Sequence, residues 1–425
     1  MFRLMLFEFK KIGRSNFARI LIVALILFCI GFYAFTYVNT TRIEDEIQSI
    51  QSTIQFTEQD LNKQRETLKT AEGAEATELK NNITFYEEWL VGEQNKLELY
   101  NDENWQAILQ QEIDEAEADA GSMRYNGQTH TFSHPTLFTL DTYVAISKWM
   151  QNNEITPLLP VDRHFSYVTL YDKEVISTSP AEAEMIMETF RKNSIKYSSS
   201  SIHYLYRLFE ISFGFVGVIF FLFLFGDIVT KEGLGRNGPI HLLRTQPIHR
   251  DKILASKFLT TIVFSSITLI SIIAFSIIVG GLFDRIGDWD YPVLIYGEER
   301  TFTLMGMGTF LLKASSLFLL ILIFCYSILI LFSILTKRSL ITTGLTLGIL
   351  LIGIGMSKEL VTSTIAHYIP FQYFSVFNVL TNELALTMEN FNISYVNGMV
   401  SLSISSVALL LITYIISVIQ YRKSN

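Results

Sequence analysis

The residues that could do chemistry come first. Gly233, Gly235 and Gly238 spell G-x-G-x-x-G, a spacing that cradles a dinucleotide pyrophosphate when a strand precedes it and a helix follows. Here an apolar run precedes it and no βαβ pattern surrounds it, so the glycines read as a tight turn. His130 and His134 are four apart, the separation of two zinc ligands on one helix face. Ser133 and Pro135 argue against a helix there and no third ligand accompanies them, so no metal site is assigned. The G-x-x-x-x-G-K-[ST] loop that holds ATP phosphates is missing from the sequence, so any ATP-driven work needs another subunit. No Ser/His/Asp or paired-carboxylate arrangement stands out. The chain therefore reads as a non-enzyme with no catalytic residue, no bound cofactor and no nucleic-acid partner.

The remaining chemical signal is charge. Asp227 to Lys257 holds Lys231, Arg236, Arg244, Arg250, Lys252 and Lys257 against Asp227, Glu232 and Asp251. It lies between two apolar runs, Ile211–Gly226 and Phe258–Phe283. A short basic loop between membrane spans belongs in the cytoplasm. It also has internal order: a glycine turn, an apolar stretch at Ile240, Leu242 and Leu243, a break at Pro247, then a charged helix start. That order suits a grip for a cytoplasmic partner better than mere attraction to anionic lipid.

The elements around this loop are membrane helices. Of 425 residues, 49% are hydrophobic and only 17% charged, well below the usual quarter, and the apolar residues form long runs. Phe2, Met5, Leu6, Phe9 and Ile12 share a helical face beside Arg3, Lys10, Lys11 and Arg14, which predicts an interfacial helix. The first span is Ile20–Val38, a retained signal anchor. The second begins at Ile211, entered from Tyr204, with Arg207 and Glu210 placed to pair near its outer end. The third is Phe258–Phe283. A polar outer loop follows, with Trp289, Tyr291 and Tyr296 at interface depth. In Leu304–Thr336 the interruption at Lys313 predicts an outer interfacial turn, then a fourth span from about Ala314. Lys337 and Arg338 mark an inner turn before the fifth span, Ser339–Met356. Residues 358–397 read as a re-entrant outer segment, and Gly398–Tyr421 as the sixth span. Both termini are then cytoplasmic in a multi-pass plasma-membrane protein. Cys29 and Cys325 both lie in apolar runs and read as small buried hydrophobes.

The domains follow: 1–38, interfacial helix and first span; 39–203, extracytoplasmic; 204–425, five spans with the loop 230–257. The outer domain lacks cysteine, so it folds without disulfides. Within it, residues 42–120 carry 20 Asp/Glu against 6 Lys/Arg. Ile43, Ile47, Ile50, Ile54, Thr57, Leu61, Gln64 and Leu68 step by fours and threes, as do Leu79, Ile83, Tyr86, Leu90, Glu93, Leu97 and Tyr100. Two such stripes with a tip near Gly73 predict an antiparallel coiled-coil hairpin within about 42–120. Residues 121–200 predict a small α+β part: short strands or turns in 131–140, 167–170 and 173–177, then a helix over Pro180–Lys192. The fold class is membrane all-α, six transmembrane helices with an N-terminal interfacial helix, plus this extracytoplasmic α+β domain carrying the coiled-coil hairpin.

Glu232, Gly233, Leu242-Leu243-Arg244-Thr245, Pro247, Arg250 and Lys257, taken in order across the second and third spans, resemble the permease subunits of ABC transporters of the type-2 exporter family. The amphipathic N-terminus and Tyr368-Ile-Pro370-Phe371 between the last two spans match it as well. The resemblance implies that the loop couples to an ATPase subunit, through Glu232, Arg244, Pro247, Arg250 and Lys252. It implies a dimer of permeases, identical or homologous, in the lipid bilayer with two ATPase subunits that carry ATP and Mg2+. It implies export of an amphipathic or hydrophobic substrate (peptide, antibiotic or lipid-like) along spans two and five and the segment after Tyr368, with Phe215, Phe221, Tyr368, Phe371, Tyr373 and Phe374 on its path. Residues 39–203 depart from simple members. That insertion is similar to Gram-positive permeases linked to antimicrobial peptide export or resistance. It is also similar to mechanotransmitting ABC proteins, where an outer coiled coil passes ATPase motion to an extracytoplasmic partner. A receptor or scaffold without an ATPase is the remaining alternative.

Overall fold

A computed structural model describes residues 5–10, 15–128, 135–161, 167–177, 179–230, 250–336, 339–359 and 365–424. The chain divides into two compact units. One holds Thr36–Ser198 with Asp290–Pro292; the other holds Met1–Phe35, Ser199–Trp289 and Val293–Asn425.

The first of these units is helical. Helices α2 (Ile43–Leu68) and α3 (Ala74–Asn101) pack side by side as a hairpin. The turn between them ends at Gly73, whose φ of 64° is left-handed, a conformation a Cβ disfavours. Ile50, Ile54 and Leu61 are buried on α2, and Ile83, Leu90 and Tyr100 on α3, while Tyr86 is exposed. Arg65 and Glu87 pair across it at 2.5 Å. Helices α4 (Trp105–Tyr125) and α5 (Leu137–Asn152) pack on each other. Ala116, Ala120 and Met123 meet Leu140 and Tyr143 in their core, the two alanines allowing close approach. Helix α6 is Pro180–Ser194.

Of the short strands or turns expected in 131–140, 167–170 and 173–177, no strand forms among the described residues. Residues 137–152 are helix α5, capped by the Thr136 side chain, which accepts from Thr139 N at 3.4 Å. Residues 170–172 and 173–176 are short helical turns, and 131–134 lie outside the described residues. The aromatic and β-branched residues there favour strands only when a sheet partner is present. Here Leu140 and Tyr143 pack on α4 instead, and Phe138 meets Tyr171 at 4.5 Å. Among the described residues this unit is all-α, with one isolated parallel bridge, Thr40 to Tyr197.

A buried carboxylate ties α5 down. Asp172 is fully buried and accepts from Thr136 N (2.9 Å), Thr169 N (2.7 Å) and Thr139 Oγ1 (2.7 Å). Three donors on one carboxylate satisfy the charge that burial would otherwise penalise.

The other unit contains five helices long and apolar enough to cross a membrane, or six if a bent pair counts as one. They are α1 (Asn16–Val38), the pair α7 (Ser201–Ser212) and α8 (Phe215–Thr230), α9 (Arg250–Phe283), α10 (Met307–Thr336), α11 (Ser339–Glu359) and α14 (Tyr395–Ser424). Between the last two lie α12 (Val376–Leu380) and α13 (Glu383–Thr387). Helix α10 is central: α8, α9, α11 and α14 all pack against it. Residues 5–10 are helical, and Phe9 stacks on Phe264 of α9 at 4.1 Å.

Three expectations change here. The second span is not one straight helix, because α7 and α8 meet at 81°. The fourth span does not begin near Ala314; α10 runs unbroken from Met307, with Lys313 inside it. The Lys313 ammonium lies 5.7 Å from the Tyr395 ring centre, so the cation is accommodated without a turn. The loop after α9 is a hairpin of two strands, β1 (Pro292–Tyr296) and β2 (Phe302–Gly306). It is pinned to the α12–α13 region: Tyr296 N donates to Thr381 O (2.9 Å), and Asn382 Nδ2 to Tyr296 O (2.8 Å).

Candidate functional site

The site forms at the break between α7 and α8. The sequence there is Phe213-Gly214-Phe215-Val216-Gly217. A Cβ on Gly217 would sit 1.9 Å from Ser212 O and 3.0 Å from Phe318 Cζ. The last carbonyl of α7 thus folds into space that only glycine leaves open, and the chain turns there. Val218 N donates to Gly214 O at 3.1 Å, restarting the helix. Broken backbone within a span is tolerated where protein covers it or where it lines a cavity.

Both conditions hold. A cavity of about 240 Å³ lies at the break. Ala24, Phe28 and Cys29 of α1 form one wall, Leu269 and Ile272 of α9 another, and Phe209, Phe221 and Phe318 the floor. Ser212 and Cys29 bring its only polar side chains. Phe28, Ile211 and Val216 are on its lining and also exposed on the surface of the unit, so the mouth opens sideways between helices.

The floor belongs to a column of rings. Phe209 stacks on Phe213 (4.0 Å), and Phe213 on Phe318 (4.4 Å). Phe318 meets Phe221 (5.9 Å), Phe221 meets Phe225 (6.0 Å), and Phe225 meets Phe264 (5.8 Å). Phe9 completes it through its stack on Phe264. Near that end Glu8 and Lys257 are both buried. The column therefore connects the break with the short helix 5–10 and with the part of α9 that follows the basic loop.

The other end of α7 is held by polar bonds. Ser201 N and Ile202 N donate to Arg285 O and Ile286 O at 2.9 and 3.0 Å. Tyr204 OH donates to Cys29 O at 2.8 Å. Ser200 Oγ and His203 Nδ1 are 2.9 Å apart, but both residues are buried in this close contact, so the pair serves packing and has no room for an acyl substrate. Arg207 and Glu210 pair at 2.7 Å, and Arg207 and Ile211 stand four apart on one face of α7.

The residues singled out from sequence separate into groups. Glu232, Arg244 and Pro247 lie outside the described residues, as does the glycine triplet at 233–238. Arg250 is the first residue of α9, and Lys252 is exposed in its first turn. Phe221 lines the cavity; Phe215 opens α8 without lining it. Phe371, Tyr373 and Phe374 gather elsewhere. Phe371 packs on Phe324 (5.5 Å) and fills the space beside Gly353, and Tyr373 fills that beside Gly398. Tyr373 OH donates to His367 O at 2.6 Å. This segment meets the break from outside the cavity: a Cβ on Gly214 would lie 3.7 Å from Phe374 O. Tyr368 is 67% exposed. Sequence reasoning missed the α1 and α9 walls. The available signal was the glycine pair 214 and 217 inside an apolar run, which marks a bend or a close backbone approach.

Residues 4–425 match the family model described as ABC-2 family transporter protein. No curated protein and no solved structure matches the chain.

Proposed function

The chain belongs to the ABC-2 family of transporters, and on that premise we propose that it is the permease subunit of an ATP-driven exporter for amphipathic or hydrophobic molecules. Family membership makes it a multi-pass membrane transport component, generally non-catalytic, that associates with an ABC ATPase subunit. The finer reading rests on one observation: an apolar, sideways-opening cavity at a broken span, joined by a ring column to Phe264 near the middle of α9. Motion of the loop 230–257 would reach the break through α9 and that column. Two permeases and two ATPases would form the working assembly. In this reading the loop and both termini face the cytoplasm, and residues 39–203 face outward. Glu232, Arg244, Pro247, Arg250 and Lys252 would contact the ATPase.

Co-purification tests this. The detergent-solubilised protein is expected to bring down an ABC ATPase, and Arg244→Glu/Arg250→Glu to lose it. An ATPase retained equally by that variant would refute the coupling role of the loop. A second reading, transmission of ATPase motion to an outer partner, is favoured by the α2–α3 hairpin. Phe56, Phe85 and Val91 are 71%, 62% and 67% exposed on it.

A further inference from the structure

We propose that the cavity at the α7–α8 break binds part of one acyl chain of a membrane phospholipid, whose charged headgroup meets the Arg207–Glu210 pair. This deepens the exporter reading and rests on it, because it names the class of molecule that the site takes from the bilayer.

Three features of the site carry the inference. The lining is hydrocarbon and aromatic ring, with Ser212 and Cys29 as its only polar side chains, so a polar or hydrated ligand would lose its hydrogen bonds on entry. At about 240 Å³ the cavity exceeds the ~150 Å³ that stays dry and takes up benzene. It falls short of the ~300–1,000 Å³ that enclose drug-sized ligands. Part of one alkyl chain fits this range; two chains or a folded peptide do not. The mouth residues Phe28, Ile211 and Val216 are exposed on helices long and apolar enough to cross a membrane. What surrounds the mouth is therefore lipid hydrocarbon, and the occupant enters along the bilayer plane.

The polar end of the ligand is set by α7. Arg207 and Ile211 stand four apart on one face of α7, and Glu210 pairs with Arg207 at 2.7 Å; Ile211 lines the cavity. The ion pair is partly exposed, at 23% and 42%. It offers one positive and one negative group next to the mouth, which matches a zwitterionic headgroup. The guanidinium suits the phosphate, and the carboxylate suits the cationic group.

Photolabelling of the full-length protein in lipid nanodiscs tests the proposal. The probe is phosphatidylcholine with a diazirine in one acyl chain, and labelled peptides are mapped by mass spectrometry. Label is expected to concentrate on Phe28 and Phe220 of the cavity over Ile404, which is 65% exposed on α14 but far from the break in sequence. Ala24→Phe and, independently, Val216→Trp fill the cavity and its mouth. Each is expected to reduce cavity label by roughly tenfold, the change when burial of about two methylenes is lost. A diazirine diacylglycerol, which lacks the charged headgroup, is expected to label the cavity several-fold less. Label spread in proportion to exposure, label unchanged by both filled variants, or equal label from diacylglycerol would each overturn the proposal. ATPase co-purification is measured on the same preparations, so a cavity that fails to label while the ATPase remains bound leaves the permease reading standing.

Discussion

Gly217→Ala tests whether the break in the second span is built by the glycine itself. A Cβ there would lie 1.9 Å from the backbone oxygen of Ser212, and contacts below 3.0 Å are essentially never tolerated. The carbonyl must retreat by about 1 Å, and it cannot swing aside as a side-chain tip would. Phe318 closes the other side at 3.0 Å and is stacked in place by Phe213. Overpacking of this kind costs ~1–3 kcal/mol. Spread over a bent and a straightened form, that is roughly a 5- to 150-fold shift away from the bend. Gly214→Ala is the matched control. Its Cβ meets only Phe374 O at 3.7 Å, an ordinary contact, and Gly214 lies before the first residue of α8. Two spin labels, one on α7 and one on α8, report the inter-helix distance in nanodiscs. The 217 variant is expected to lengthen or broaden that distance and to lower the heat stability of the solubilised protein. The 214 variant is expected to leave both unchanged. Equal behaviour of the two variants would refute the steric account, and the bend would then belong to packing by α1 and α9.

Other perturbations follow from the same contacts. Asp172→Ala leaves Thr136 N and Thr169 N buried without their acceptor, at a cost of roughly 2–4 kcal/mol; amide exchange over 136–140 and 169–172 is expected to accelerate, and unchanged exchange would show the carboxylate to be dispensable. Tyr204→Phe removes the bond to Cys29 O and is expected to cost about 1 kcal/mol, seen as a lower melting temperature; no change would mean that ring packing alone joins α1 to α7. Arg65→Ala breaks a half-exposed pair and is expected to change stability by less than ~1 kcal/mol, a larger loss pointing to a role for the hairpin seam. The carboxyl of Glu184 is held below its ordinary range by the hydrogen bond and charge of Lys173. Its contribution is therefore present above the ordinary glutamate pKa and lost as pH falls through the lowered one. Amide exchange at the start of α6 is expected to rise in that acid window, and Lys173→Ala to remove the rise.

Sequence alone determined much of this protein, because several of its signals are local. Apolar runs such as Ile20–Val38 must be helices if they enter a membrane, since only a helix satisfies their backbone there. The steps Ile50–Ile54–Leu61 and Ile83–Leu90 state which faces meet in the hairpin, and Gly73 marks its turn. The missing phosphate loop and the ordered residues of Asp227–Lys257 led to the family without a fold. What only the tertiary structure decided is where separate segments meet. Residues 137–140, expected as strand or turn, open a helix instead, because α4 offers a helical groove and no strand pairs with them among the described residues. The loop after α9 holds a β-hairpin that is tied at Tyr296 to Thr381 and Asn382, some 80 residues on. The cavity draws walls from α1, α7, α8, α9 and α10, and no spacing within one segment can foretell that. Hydrophobic burial rewards any apolar contact alike; which apolar residues enclose a space is settled only when the helices pack, here around one carbonyl folded against Gly217.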